Sequence, residues 1–446
     1  MNFNKKLTVA VSGAVLLMAG QFALADSTTD IVDALVSKGV LTEEEGKLIS
    51  KGATSKAKAD EKANKSRISV GSFIENATMY GDVRARYEYR GATNLSTGEE
   101  LDTNRARYKL SFGLKTESGN WYSDVAFAMG SKGRSDNATF GAETTQANGS
   151  ATKEAVGVKR AMLGWKATDW LSLEAGRIAN PLYTTEMVWD KDLTFDGATA
   201  KAKFKTGDSS IFLTAAAFQY LGFDKSYSLT TQDRVSNTIG VIQAGFDTPL
   251  GSNMSAKAAL TYYNYGRGNS TWVAATGAND TQTGTRNLNI VEVPAELTYK
   301  FSESSNIKLY GDWVINTDAD QRALLASDTS SAKDDDTAWL LGLGYTSQAG
   351  KKAAAGDYSA KIWYQETGAY ALDPNAVDSD FFDSKINIKG GVFKADYLVA
   401  DNVRINTAFG HGTRKSSAIN VQGIAGDTSM SFKDFDLFQL DITYMF

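Results

Sequence analysis

The sequence contains no cysteine and only four prolines in 446 residues. Without cysteine, neither a disulfide-stapled scaffold nor a thiol nucleophile is available. Proline is scarce while 40 glycines, 19 tyrosines and 21 phenylalanines are present, a balance that suits extended strands with tight bends. Histidine occurs once, at His411, so a histidine-dependent hydrolytic site would rest on that residue alone. The net charge of −5 argues against nucleic acid as a partner. Beyond residue 25 no apolar run reaches 18 residues, so no transmembrane helix is expected.

The one apolar run of note comes first. Residues 1–25 carry Lys5 and Lys6, an apolar stretch from Leu7 to Ala19, and Ala23-Leu24-Ala25. That order of charged, hydrophobic and A-x-A segments predicts an export signal cleaved after Ala25. Residues 26–67 have helical punctuation. Asp30 to Val36 reads as a short amphipathic helix stopped near Gly39, and Thr42-Glu43-Glu44-Glu45 opens a second as a capping box. This region is expected to be a periplasmic helical segment or linker, with 68–446 as the main domain.

From about Thr78 the period becomes two. In Tyr80 to Tyr89 the even positions are mostly charged and the odd ones mostly apolar, and 104–116 repeats the pattern. Sixteen such runs follow one another to Phe446, each about 10–14 residues long, enough for a tilted strand to cross an apolar layer. Their connections alternate in length. Those at 117–119, 167–169, 206–209, 248–253, 302–304, 348–356 and 400–401 are short, whereas 91–103, 131–153, 180–194, 221–236, 266–287, 317–336, 367–383 and 411–432 are long and polar. Sorting loops by length to two ends predicts an all-β transmembrane antiparallel barrel of about sixteen strands in the outer membrane, with both chain ends on the periplasmic side. The final run, FQLDITYMF, must then pair with the first to leave no open edge in lipid. Phe438, Leu440, Ile442, Tyr444 and Phe446 are expected to face lipid, and Gln439, Asp441 and Thr443 the lumen. Tyr444 and Phe446 are expected to form a terminal aromatic assembly signal for the barrel-insertion machinery.

The stretch Gly176-Arg177-Ile178-Ala179-Asn180-Pro181, continuing through Trp189-Asp190-Lys191-Asp192-Leu193 to Gly197, resembles a segment of the "putative porin" family of Gram-negative bacteria. The helical prelude around 34–43 is similar to that family too. The resemblance implies a sixteen-stranded, water-filled pore for passive diffusion of ions and small hydrophilic solutes. The phosphate-selective porin family shares the architecture, so an anion-selective pore is the alternative. A barrel enzyme or an adhesive barrel is the reading from other classes.

A lumen of this width draws its selectivity from interior charge and from any loop that narrows it. The third long connection is the candidate, because in sixteen-stranded porins the third outside loop commonly folds inward. It offers Glu186, Asp190 and Asp192, with Asp196 just beyond. The facing basic wall is expected from Arg84, Arg86, Arg105, Arg107, Lys109, Arg160, Lys201, Lys203 and Lys205, unless these pair off as ordinary cross-strand ladders. Asp334-Asp335-Asp336 with Asp318 and Asp320 could hold a divalent cation, but such runs are more often solvated loop, and no metal or cofactor is expected. The expected partners are outer-membrane lipid, the assembly machinery and small hydrophilic solutes, with a homotrimer left open.

Overall fold

The computed structural model describes residues 74–95, 97–129, 135–140, 154–221, 237–265, 288–325, 335–350, 352–374, 376–378, 386–416 and 432–446. The expectations for 1–25 and 26–67 lie outside these residues. The strands are β1 (Asn76–Asn94), β2 (Glu100–Ser118), β3 (Trp121–Met129), β4 (Ala138–Thr139), β5 (Val156–Lys166), β6 (Leu171–Ala179), β7 (Thr194–Thr206), β8 (Ser209–Leu221) and β9 (Asn237–Pro249). They continue with β10 (Met254–Tyr265), β11 (Asn289–Lys300), β12 (Ser305–Asn316), β13 (Thr337–Ser347), β14 (Tyr358–Thr367), β15 (Ile388–Ala400), β16 (Val403–Arg414) and β17 (Phe432–Met445). Among the described residues one helix, α1 (Ala319–Leu325), lies in a long connection.

Sixteen of these strands close into an antiparallel barrel. Each pairs with the next, β3 passes directly to β5, and β17 returns to β1 with Asp82 opposite Met445. The two-residue β4 is an addition that pairs with β2 alone. Closure runs to the last atom of the sequence. The Gly81 amide donates to the Phe446 carbonyl at 2.9 Å, and the Phe446 amide donates back to Gly81 at 3.1 Å. Gly81 is required there, because a Cβ would sit 2.5 Å from the Phe446 ring and 2.4 Å from the Ser111 carbonyl. The terminal strand has the expected faces: Leu440, Ile442, Tyr444 and Phe446 are exposed outside, and Gln439 and Asp441 are buried inside.

The alternation is clean elsewhere. On β13, Trp339, Leu341 and Leu343 point out while Ala338 and Leu340 are buried. Outward Trp339 and Tyr345 are six residues apart, about 20 Å of strand, close to the apolar band an outer-membrane barrel presents. The short connections all fall at one end. The first long connection is shorter than expected, because pairing continues through Thr93 opposite Glu100 and turns much of 91–103 into strand.

The apolar core lies inside the barrel at the end of the long connections, an unusual place for a water-filled lumen. Met187, Val188 and Trp189 from the third long connection pack with Phe195, Phe218, Ile239, Tyr263 and Val314 of the wall. Tyr370, Leu372 and Val377 from the connection after β14 join the same cluster. The helix α1 buries Ala319 and Ala323 against it. Two inward-folded segments therefore fill one side of the lumen and leave the other open.

Candidate functional site: an off-centre charged passage

The third long connection folds inward because its backbone finds partners on the wall. The Tyr183 amide donates to Gln243, whose amide group donates back to the Tyr183 carbonyl, both at 2.9 Å. The Thr184 and Thr185 hydroxyls donate to Glu292 and Asp312 on β11 and β12, at 2.5 and 2.6 Å. A turn follows, closed by the Val188 and Trp189 amides on the Thr185 carbonyl at 3.1 Å. Trp189 then lies with its ring centroid 4.9 Å from Phe195, which stacks on Phe218 at 4.3 Å. The second inward segment is tied to the first by the Asp190 amide donating to the Ala376 carbonyl at 2.7 Å.

Gly176, the first glycine of the motif, has φ +115° and a Cβ there would meet the Ala161 carbonyl at 2.3 Å. It sits directly opposite Gly197. The paired glycines keep the wall thin where the connection leaves β6 and returns as β7.

Glu186 sits at the tip, buried to 8% exposure. Its carboxylate takes Lys361 of β14 and Lys191 of its own segment, the latter at 2.9 Å. Burial alone would raise this carboxyl. The ammonium groups of Lys191, Lys361 and Lys394 outweigh that and hold it well below the usual carboxylate range. Lys191 is raised in turn: burial opposes its charge, but Glu186 outweighs it.

On the open side lies a cavity of about 940 Å³, bounded by Asp190, Lys191 and Asp192 of the inserted segment and by the wall from β12 round through β17 and β1 to β5. Among the described residues ten basic and six acidic side chains line it, and Glu186, Asp136, Asp124 and Glu296 just behind them pair with lining cations, so the passage is densely charged with both signs. Beneath the inserted segment a second cavity of about 790 Å³ opens toward the short-turn end, lined by Tyr183, Lys201, Lys203, Gln243 and Lys257.

The expected site residues divide accordingly. Glu186, Asp190 and Asp192 belong to the inserted segment, and Arg84, Arg86, Lys109 and Arg160 line the passage facing it. Arg105 and Arg107 pair with Glu88, and Arg86 bonds Asp441 through two nitrogens at 2.7 and 2.9 Å; these side chains form the cross-strand ladder that competed with the pore-lining reading. Lys201 pairs with Glu174 in the second cavity, which Lys203 also borders, and Lys205 is exposed further along β7. These three lysines therefore do not oppose the carboxylates of the inserted segment. Asp196 is a correction. It stands on β7 with the outward parity of Ala198 and Ala200 and pairs with outward Arg177 at 2.8 Å, so it takes no part in the narrowing.

Other positions were not anticipated. Asp136 and Asn137, from the second long connection, dip into the lumen: Asp136 takes Lys159, and Asn137 accepts from Arg84. Burial and neighbouring Asp192 push the Asp136 carboxyl up. Neither residue stands in a pattern that would mark it. Lys361, Lys394 and Arg404 were visible as inward positions of alternating strands. Asp335 of the acidic tract pairs with Lys415, and Asp334 lies outside the described residues. His411 projects outward from β16 toward Asp436 at 2.7 Å, away from the lumen.

A closed sixteen-stranded barrel with an apolar outer belt, an inward-folded third connection and a charged lumen defines a membrane channel of the porin type. A family model described as "Putative porin" matches residues 92–287, bearing out the resemblance carried by Gly176 to Gly197. The family-model match and the barrel fold imply an outer-membrane location and support a porin role. The chain is similar to the outer membrane channel DcaP of Acinetobacter baumannii, at 13% identity over 85% of this chain and 100% of that one, with a TM-score of 0.45. It is also similar to a triple mutant of the Rhodopseudomonas blastica porin, at 11% identity over 83% and 100%, with a TM-score of 0.40. No curated protein matches by sequence.

Proposed function

We propose that the protein is a passive diffusion channel for ions and small hydrophilic solutes. The observation that carries this reading is the off-centre passage of about 940 Å³, lined by charged side chains of both signs inside a closed barrel. Charge in a narrow, low-dielectric lumen is screened less than on an open surface and acts on every ion that enters. The reading includes removal of 1–25 on export, 26–67 as a periplasmic segment dispensable for conduction, Tyr444 and Phe446 as the signal for assembly, and a homotrimer testable by cross-linking in native membranes. Purified protein in a planar bilayer should give stepwise openings. A folded, inserted protein that passes no current would refute the reading.

A further inference from the structure

Strand β5 breaks its alternation once, and the break faces the passage. Ala126 of β3 stands opposite Arg160 and Phe127 opposite Val158, so Lys159 is an extra residue with no partner on β3. A bulge of this kind re-aims the side chain it carries. Val158 and Phe127 stay on the outer face, Val158 exposed and Phe127 stacked on exposed Phe112. Lys159 and Arg160 both line the passage. Two neighbouring residues of one strand thus share the lumen, which regular pleating forbids. Arg160 is held at the wall by Asp124 of β3, at 2.9 Å. Lys159 reaches away from the wall instead.

Its ammonium group sits between two inserted segments. Asp136 of the second long connection takes it directly, and Asp192 of the third lies 3.9 Å away. The Asp136 amide also points at the Asp192 carboxylate at 3.5 Å, the outer edge of hydrogen-bond range. Asp136 is 8% exposed and Asn137 3%, so the contact is inside the protein and not at its surface. Segment 135–140 has its own hold on the wall. Arg107 donates to Ser135 at 3.1 Å, Arg84 donates to Asn137, and the Phe140 amide donates to the Ala106 carbonyl at 2.9 Å. Those bonds tie it to β1 and β2, and none of them reaches the third connection. The carboxylates of Asp136 and Asp192 repel each other across the gap, and Lys159 turns that repulsion into a joint.

We infer that the bulge residue Lys159 rivets the second long connection to the third, and that this joint sets the size limit of the passage. The third connection borders the passage through Asp190, Lys191 and Asp192. With 135–140 joined to it, the perimeter is continuous from the inserted segment to β1 and β2, and the bore is fixed on that side. Released, 135–140 swings clear and the opening widens toward β3 and β5. Lys159 is thus a positioning residue whose effect falls on solute size, which uncharged solutes report free of the charge removed. The inference rests on the pore reading for its place in permeation, but the joint can be read separately.

The test uses the full chain in liposomes, with heat-modifiable migration confirming the fold of each variant. Losing a charge-assisted hydrogen bond shifts a docking equilibrium by roughly tenfold or more. In swelling assays K159A should therefore raise the rate for raffinose relative to arabinose severalfold. K159R, which keeps charge and reach, should restore the ratio, and K205A, on β7 outside the passage, should leave it unchanged. Because the chain has no cysteine, A138C supplies a single thiol at a position 4% exposed. A water-soluble methanethiosulfonate should label it slowly on its own and about tenfold faster or more beside K159A. If K159A leaves both the sugar ratio and the labelling as they were, there is no rivet. Faster labelling with an unaltered ratio overturns its role in the size limit, and a raised ratio without faster labelling places the effect elsewhere and overturns it too. An inserted, unchanged protein that swells with no sugar overturns the pore reading, while the labelling still decides the joint.

Discussion

Replacing Glu186 by Gln tests what holds the inserted segment in the lumen. Removing one partner of a buried ion pair costs about 3–5 kcal/mol, because the remaining charge is stranded. Here Lys191 is 73% exposed and Lys361 30%, so water recovers part of that, leaving roughly 2–3 kcal/mol. Against it stands the burial of Met187, Val188 and Trp189, at 1%, 4% and 3% exposure, worth about 1.5–3 kcal/mol for each side chain. The apolar contribution wins. E186Q should therefore keep its main single-channel conductance and gain brief excursions to a larger level, as the undocked state becomes roughly 30- to 150-fold more populated from a low base. W189A removes the central ring and costs about 3–5 kcal/mol, so its larger level should be longer-lived. Single-channel recording at high salt reads both. A stable large-conductance E186Q with an unaltered W189A would show that charge, not packing, docks the segment, and would refute this account.

Neutralising Glu186, Asp190 and Asp192 together should move the reversal potential toward anions, and replacing Arg84, Lys109 and Arg160 by Gln should move it toward cations. The same change at Lys201, Lys203 and Lys205 should move it less, since they lie outside the main passage. Deleting Phe446, or replacing Gly81 by Val, should lower the yield of heat-modifiable barrel in membranes under limiting expression; unchanged yields would count against the pairing of Phe446 with Gly81 as a closing contact. The Glu186 carboxyl is depressed when folded, so its contribution is complete above the ordinary value of 4.5 and is lost only as pH falls through its lower folded value. Conductance noise from segment opening should accordingly stay flat between pH 8 and 5 and rise in stronger acid.

The strands were legible because one face of each meets lipid and the other meets water and charge, which writes period two directly into the sequence. The same parity placed Asp196: with Lys201, Lys203 and Lys205 inward, an even-numbered residue of β7 must point out. Treating it as part of the preceding loop missed this. Segment Met187 to Trp189 was marked by its place in the third long connection, but the partner segment 368–378 was not, since Tyr370, Leu372 and Val377 are scattered among small and polar residues. The helix α1 carried a signal in Asp318 followed by Ala-Asp-Gln-Arg-Ala-Leu-Leu, obscured by the polar run around it. Asp136 and Asn137 depend on where a long connection happens to fold, which no local pattern records.

The open side of the lumen is built largely from the first strand and the last two, so the conducting wall includes the seam at which the barrel is zipped shut. Arg86 and Asp441 meet across that seam by two hydrogen bonds. A slip of two residues would keep every side chain on its proper face, yet in one direction it would set Arg86 opposite Thr443 and bring Glu88 opposite Asp441, carboxylate against carboxylate. The pair thus helps to key the register, opposing a slip in that direction that hydrophobic patterning would tolerate. Permeability and correct closure are then decided by the same two side chains, and a mis-zipped barrel would declare itself as a pore of altered selectivity.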